Sequence, residues 1–138
     1  MLEKKLLNLI SQKKTLLGVG PMSLNCVDAS IELSNEYNTP IILIASRRQI
    51  DSKNLGGGYV NNWNTEDYSQ YVRKKDKKQK IILARDHGGP WQNNIEIKKK
   101  LNLRDSMESA KKSFETDIKN NFQIIHIDTS IDINKKLS

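Results

Sequence analysis

Asp86 and His87 are the adjacent residues of this sequence best suited to chemistry. They follow the apolar segment 80–84 and precede the glycine- and proline-containing segment 88–92. On an extended strand, neighbouring side chains leave on opposite faces, so both can reach one site only where the chain bends. Two glycines permit such a bend, and Pro90 prevents the strand from continuing. The pattern predicts a buried strand that ends at a functional turn.

The chemistry of this pair has more than one interpretation. Neutral imidazole is a common zinc ligand, and a neighbouring carboxyl group can donate a proton or orient the ring. The sequence shows no second metal ligand beside His87, so a simple hydrogen bond to a neighbouring loop is the favoured role at this point. His126, inside another apolar segment, is expected to be a core residue.

Polar residues follow each of four apolar segments, which are predicted strands over 15–20, 40–45, 80–84 and 123–128. In open α/β sheets and in barrels, sites form where parallel strands end. Adjacent guanidinium groups after the second strand suit a phosphate or carboxylate. The regularity indicates an enzyme-like scaffold. The predicted substrate-binding residues are Arg47, Arg48, Gln49, Arg85, Gln92, Asp128 and Ser130.

Four helices are expected between and before these strands. They cover 2–13, 24–37 with Ser23 as cap, 65–75 with Thr65 as cap, and a stretch that begins at Asp105. A capping box is predicted over 105–108, with an inner face formed by Met107, Ala110, Phe114 and Ile118. Right-handed crossovers then predict a parallel sheet in the order 1-2-3-4. It is either a small open sheet or the first half of a (βα)8 barrel, which needs about 250 residues.

Length and composition predict one domain, over 1–138, with enough apolar residues for a core. No apolar run approaches the roughly 18 residues of a membrane span, and the first ten residues do not resemble a signal peptide. Cys26 is the single cysteine, as expected in a reducing compartment. A cytoplasmic protein is therefore expected.

The formal net charge of +7 raises the question of nucleic-acid binding. Of the 23 basic residues 18 are lysines, in short runs without interleaved aromatic residues that could stack on bases. A solvated surface is the favoured interpretation. The glycines at 56–58 lack the Lys-Ser/Thr of a phosphate-binding loop and fit either a flexible loop or a cover for substrate.

The sequence resembles the (βα)8 TIM-barrel family of class II D-tagatose-1,6-bisphosphate aldolases. The resemblance is to the non-catalytic subunit, formerly annotated tagatose-6-phosphate kinase. The segment Asp86-His87-Gly88-Gly89-Pro90-Trp91-Gln92 is its most specific motif. Residues 25–41, Gln49, 57–59 and 125–130 support it, so the resemblance runs through nearly the whole chain.

The resemblance implies a role in carbohydrate metabolism, as a lyase that reversibly cleaves a ketose bisphosphate. It implies that His87 is a ligand of a zinc ion, which acts as a Lewis acid, and that Asp86 is the catalytic acid. Asp128 and Ser130 match the acidic and small polar residues that follow the fourth strand in such barrels. The ligand would be a phosphorylated sugar.

The chain would supply only the first four βα units of such a barrel, preceded by an N-terminal helix. We therefore expect an incomplete, inactive fragment, truncation or split-gene product that needs the C-terminal half-barrel. A second reading is a subunit without its own activity that stabilises a separate catalytic aldolase subunit. A third and least favoured one is a nucleic-acid-binding α/β domain with salt-dependent affinity.

Overall fold

Four parallel strands form one sheet in the order β1-β2-β3-β4 in the computed structural model, which describes residues 2–133. The strands are Leu17–Val19 (β1), Ile41–Ser46 (β2), Ile81–Gly88 (β3) and Ile124–Ile127 (β4). Each strand pairs in parallel with the next along the chain. The predicted strand order and the α/β class are confirmed, whereas a closed barrel is not seen among the described residues.

Helices precede the sheet and connect its strands. They are Leu2–Ser11 (α1), Leu24–Tyr37 (α2), Thr65–Lys75 (α3), Asn94–Lys98 (α4) and Leu103–Lys119 (α5), with a single 3-10 turn at Lys53–Leu55. The sequence interpretation missed α4 and the 3-10 turn, because both are too short to show a helical period. Within residues 2–133, no helix combines the length and apolar character needed to cross a membrane.

Side-chain caps set where the helices begin. Ser23 caps α2 as predicted and accepts a hydrogen bond from the Cys26 N–H at 3.2 Å. α3 is capped by Asn64 rather than Thr65. α5 is capped by Asn102, whose side chain accepts the N–H of Asp105 at 2.9 Å, so the predicted start at Asp105 is wrong. An earlier asparagine takes the capping role in both corrected helices.

The apolar core lies on one face of the sheet. Along β2 buried and half-buried residues alternate, and Ile41, Leu43 and Ala45 pack against the core of α2 and α3. The apolar residues at successive positions of β2 predict a parallel strand covered on both faces, but only one face is fully buried within residues 2–133. The second face of β2, with Ile42 and Ile44, is only half-buried.

α5 packs a polar face against the sheet, contrary to prediction. Its buried residues are Ser106, Ser109, Ala110, Ser113 and Asp117. Met107 and Ile118, predicted on the inner face, are exposed, and 63% of Ile118 is accessible to solvent. The reason is electrostatic: the neighbouring sheet layer contains two buried arginines, and hydroxyl and carboxylate groups satisfy them.

Candidate functional site

The end of β3 brings Asp86 and His87 to the same site. The ladder between β3 and β4 is irregular between Arg85 and Gly88, and His87 has a positive φ of 45°. This local bend replaces the strict alternation of a strand. The strand itself extends to Gly88 rather than ending at residue 84, but the predicted bend at the pair is present.

His87 is held by a carboxylate from the loop after β4. Its Nδ1 lies 2.7 Å from Oδ2 of Asp128, which is only 8% exposed. The same oxygen accepts a hydrogen bond from Nε2 of Gln92 at 2.8 Å, and the backbone N–H of Ser130 donates to Oδ1 at 2.9 Å. Hydrogen bonds from Ser130 and His87 lower the pKa of Asp128 to about 2.

This arrangement determines which nitrogen of His87 is available. An ionised carboxylate only accepts hydrogen bonds, so the Nδ1 atom facing Asp128 carries the proton. In the neutral ring, Nε2 then has a free lone pair. Because the His87 side chain is exposed, this lone pair can accept a proton from a ligand or bind a cation.

Asp86 lies between two imidazole rings. Its Oδ1 is 3.2 Å from Nδ1 of His126, and its Oδ2 is 3.4 Å from Nε2 of His87. The His126 side chain is 55% exposed, so its expected place in the core is wrong. It belongs to this site because β4 pairs with β3. The carboxyl-edge cluster is therefore Asp86, His87, Gln92, His126 and Asp128.

The segment after β3 is anchored so that Gln92 reaches the cluster. The indole N–H of Trp91, a fully buried residue, donates to the Leu101 carbonyl at 2.8 Å. The Trp91 backbone N–H donates to the Glu96 carboxylate at 2.5 Å. Gly89 contacts the backbone of Asp128 so closely that no Cβ would fit. These contacts explain why glycine and tryptophan occupy these positions.

A cavity of about 280 Å³ opens beside the cluster. Its lining residues come from the ends of β2 and β3 and from the segment after β4, namely Ser46, Arg48, His87, Gln92, Ser130 and Ile131. The structure thus brings together six of the nine predicted site residues: Arg48, Asp86, His87, Gln92, Asp128 and Ser130.

Another cavity, of about 270 Å³, lies at the opposite end of the strands, where they begin. It is lined mainly by α1 residues and by the residues that begin β3, and Lys80 is its single charged lining residue among those described. With no carboxylate or imidazole in its lining, this cavity has fewer groups suited to catalysis than the carboxyl-edge cluster.

Arg47 and Arg85 lie elsewhere, and their predicted role as substrate ligands is corrected. Both side chains are fully buried. Arg85 donates to both carboxylate oxygens of Asp117, at 2.7 and 2.6 Å, and to the carbonyls of Ala45 and Ile50. Burial raises the pKa of Asp117, and Arg85 opposes that shift. Arg85 therefore ties the sheet to α5.

Arg47 has an equally complete set of partners. Its guanidinium group pairs with Asp51 at 3.0 Å and with Glu96 at 2.6 Å, and it also donates to the Gly89 carbonyl at 2.6 Å. These bonds join the end of β2 to α4 and to the segment after β3. A buried cation must be paired, which is why Arg47 cannot turn outward to a ligand.

Gln49 is also engaged within the chain. Its Oε1 accepts the backbone N–H of Ser46 at 2.9 Å, and its Nε2 lies 3.0 Å from the Met22 sulfur. These contacts close the turn after β2 against the loop after β1. Gln49 thus shapes the rim of the site and is not among the residues that line the cavity.

The described residues offer only part of a zinc site. The carboxylate behind Nδ1 of His87 is the usual outer partner of a metal-binding histidine. Within residues 2–133, however, no group of three or more His, Cys, Asp or Glu side chains is arranged to hold a metal ion. These residues alone therefore do not fit a zinc ion, and a zinc role for His87 stays a prediction.

Comparisons with known proteins agree with the fold. No family model and no curated protein matches the chain. Among solved structures, it is similar to a probable tagatose 6 phosphate kinase from Sinorhizobium meliloti 1021, with a TM-score of 0.71 and 20% identity. The match covers 91% of this chain but only 31% of that chain. At this identity the likeness shows a shared α/β fold.

Proposed function

We propose that this chain forms part of the ligand site of a protein of sugar-phosphate metabolism. More specifically, we infer the N-terminal half of a TIM barrel related to class II tagatose-bisphosphate aldolase subunits. The single observation that carries the proposal is the His87–Asp128 pair beside Asp86 and His126, at the edge where the strands end. The name of the similar solved structure, a probable tagatose 6 phosphate kinase, supports a sugar-phosphate ligand.

The cluster supplies groups suited to reversible proton transfer on a sugar. Asp128 fixes the ring of His87 through Nδ1, so that Nε2, which lies 3.4 Å from Oδ2 of Asp86, keeps its lone pair for proton exchange. Asp86 is half-buried between two imidazoles and can exchange a proton with a ligand oxygen. If the complete protein holds a zinc ion, His87 would be one ligand and the ion would polarise a carbonyl group.

Ligand binding to the 138-residue chain tests this proposal. Isothermal titration with D-tagatose 6-phosphate should give a saturable signal that weakens at least about tenfold in Asp128→Asn, because an uncharged NH2 group replaces one of the two carboxylate oxygens that accept from His87, Gln92 and Ser130. Glu115→Gln, on the exposed side of α5, is the matched control and should bind like the parent chain. Equal binding by the parent chain and Asp128→Asn would reject the site.

A second candidate function is the stabilisation of a separate catalytic aldolase subunit. The observation that favours it is that β1 and β4 are the outer strands of the sheet within residues 2–133, where Leu17 of β1 is 50% exposed and Ile127 of β4 is 68% exposed. Unpaired strand edges readily accept a partner strand. Mixing the chain with a class II aldolase subunit from the same genome should then raise that subunit's melting temperature. No change in melting or activity would exclude this role.

A further inference from the structure

Arg48 differs from its neighbour Arg47 in having no internal partner. Arg47 is fully buried in ion pairs, whereas the Arg48 side chain is exposed and forms no hydrogen bond or ion pair within residues 2–133. Arg48 lines the cavity of about 280 Å³ beside His87. It also lines a smaller cavity of about 190 Å³, together with the glycine-rich loop at 56–59. The linings of two cavities thus share one unpaired cation.

The glycine-rich loop fixes the backbone of Arg48. The Tyr59 N–H donates to the Arg48 carbonyl at 3.2 Å, and the Val60 N–H donates to the Gln49 carbonyl at 3.1 Å. Gly58 lies against the backbone of Gln49, where a Cβ would have no room. The loop therefore acts as a support for the turn that presents Arg48, which gives the glycines a structural purpose.

We propose that Arg48 forms an anion subsite that binds the phosphate group of a sugar monophosphate, with the sugar hydroxyls facing His87 and Asp86. The inference rests on the proposed function and deepens it by naming the group that recognises the phosphate and the direction of the ligand. The hydroxyl groups of Ser46 and Ser130 line the same cavity and can add hydrogen bonds to the phosphate oxygens.

Electrostatics determines this orientation. Asp86 and Asp128 place two carboxyl groups on the cluster side, and the low pKa of Asp128 keeps it ionised at neutral pH. A phosphate there would be repelled, while sugar hydroxyls can donate hydrogen bonds to the carboxylates. The planar guanidinium of Arg48, which lines the same cavity, offers paired N–H donors that match two phosphate oxygens.

The subsite predicts a selectivity that charge alone would not produce. Titrations with D-tagatose 6-phosphate and with D-tagatose should show a preference for the phosphorylated sugar in the parent chain. Arg48→Gln should reduce that preference by about 10- to 100-fold and leave the affinity for D-tagatose unchanged. Arg48→Lys should retain an intermediate preference, because a lysine lacks the paired donors.

Arg73→Gln is the matched control, since Arg73 is exposed in the last turn of α3 and does not line either cavity. It removes the same charge and should leave the preference intact. An unchanged preference in Arg48→Gln, or an equal loss in Arg73→Gln, would overturn the inference. Melting curves confirm that each variant is folded.

Binding of inorganic phosphate tests the anion subsite at Arg48 independently of the proposed sugar-phosphate function. Line broadening of the ³¹P signal should report weak phosphate binding that Arg48→Gln abolishes and Asp128→Asn retains. Arg48-dependent phosphate binding without any binding of D-tagatose 6-phosphate would reject the sugar-phosphate function alone. Phosphate binding that is absent, or that does not depend on Arg48, would reject the anion subsite.

Discussion

At the scale of single residues, the central feature is the hydrogen-bonded carboxylate of Asp128. Three groups donate to it, namely the ring of His87, the side chain of Gln92 and the backbone of Ser130. A carboxylate that accepts several hydrogen bonds resists protonation, which accounts for its low pKa. Asp128 thereby holds the proton of His87 on Nδ1 and fixes the orientation of the ring.

The low pKa of Asp128 predicts a specific acid dependence of stability. Its pKa rises from about 2 in the folded chain to about 3.8 on unfolding. The ionised form therefore contributes stability that is fully present above about pH 4 and is lost as the pH falls towards 2. The difference in unfolding free energy between the parent chain and Asp128→Asn should shrink over this interval in urea titrations. A difference that stays constant from pH 5 to 2 would contradict the assigned hydrogen bonds.

At the scale of secondary-structure elements, buried arginines connect the sheet to its helices. Arg85 points from β3 towards α5 and pairs with Asp117 through two hydrogen bonds, while Arg47 links the end of β2 to α4. Serines on the buried face of α5 complete these contacts. The layer between β3 and α5 is therefore polar where an ordinary α/β domain has aliphatic packing.

Removing Arg85 should be severely destabilising. Arg85→Met leaves Asp117 buried without its cation, and we expect a loss of about 3–5 kcal/mol in the free energy of unfolding. The double variant Arg85→Met/Asp117→Asn removes the unpaired charge as well and should recover part of that loss. Urea denaturation of the three chains provides the measurement. A double variant less stable than Arg85→Met would argue against the ion pair.

Gly58 should be intolerant of any side chain. Gly58→Ala forces a Cβ against the Gln49 backbone, so the loop must move and the support of Arg48 weakens. We expect a lower melting temperature and a loss of phosphate selectivity. Gly20→Ala is the control, because its Cβ would meet only the Gln49 side chain at 3.6 Å. Equal melting of both variants would show that the loop does not depend on this contact.

Much of the element pattern can be predicted from the sequence, and the exceptions share a physical cause. The strand order follows from four apolar segments and from right-handed crossovers, and α2 from the Ser23 cap. The inner face of α5 could not be predicted, because periodicity rules assume an apolar interior. The same assumption assigned Arg47 and Arg85 to ligand binding, although each has a buried carboxylate partner distant in sequence.

His126 is the residue of the site that could not be predicted from the sequence. Its apolar neighbours indicated a core position, and only the pairing of β4 with β3 places it against Asp86. Consecutive residues of a strand face opposite sides, so His126 and Ile127 could not both be expected on one buried face. Asp86, His87 and Asp128 were found because polar residues at strand ends meet at one edge.

At the scale of the whole molecule, the four-stranded sheet has an unpaired edge on each side within residues 2–133. β1 and β4 are its outer strands, and apolar side chains are exposed at both, including Leu17 and Ile127. Parallel strands with free edges tend to associate with other strands. In the similar solved structure, the matching region covers only 31% of that chain, so a similar unit forms part of a longer chain there.

The open edges predict concentration-dependent association of the 138-residue chain. Ile127→Lys places a charge at the edge strand β4 and should shift the chain towards monomer in light-scattering measurements. Leu7→Lys is the control, because Leu7 is similarly exposed but lies on α1, away from the strand edges. A parent chain that is monomeric at all concentrations would show that these edges do not act as interfaces.

One measurement tests the central claim, that the carboxyl-edge cluster binds a phosphorylated sugar. Amide chemical shifts of the 138-residue chain can be followed during titration with D-tagatose 6-phosphate. We expect saturable changes at 46–48, 86–92 and 126–131, with little change near Leu9 and Pro40, beside the cavity where the strands begin. Changes confined to the residues beside that cavity, or no saturable change at all, would contradict the claim.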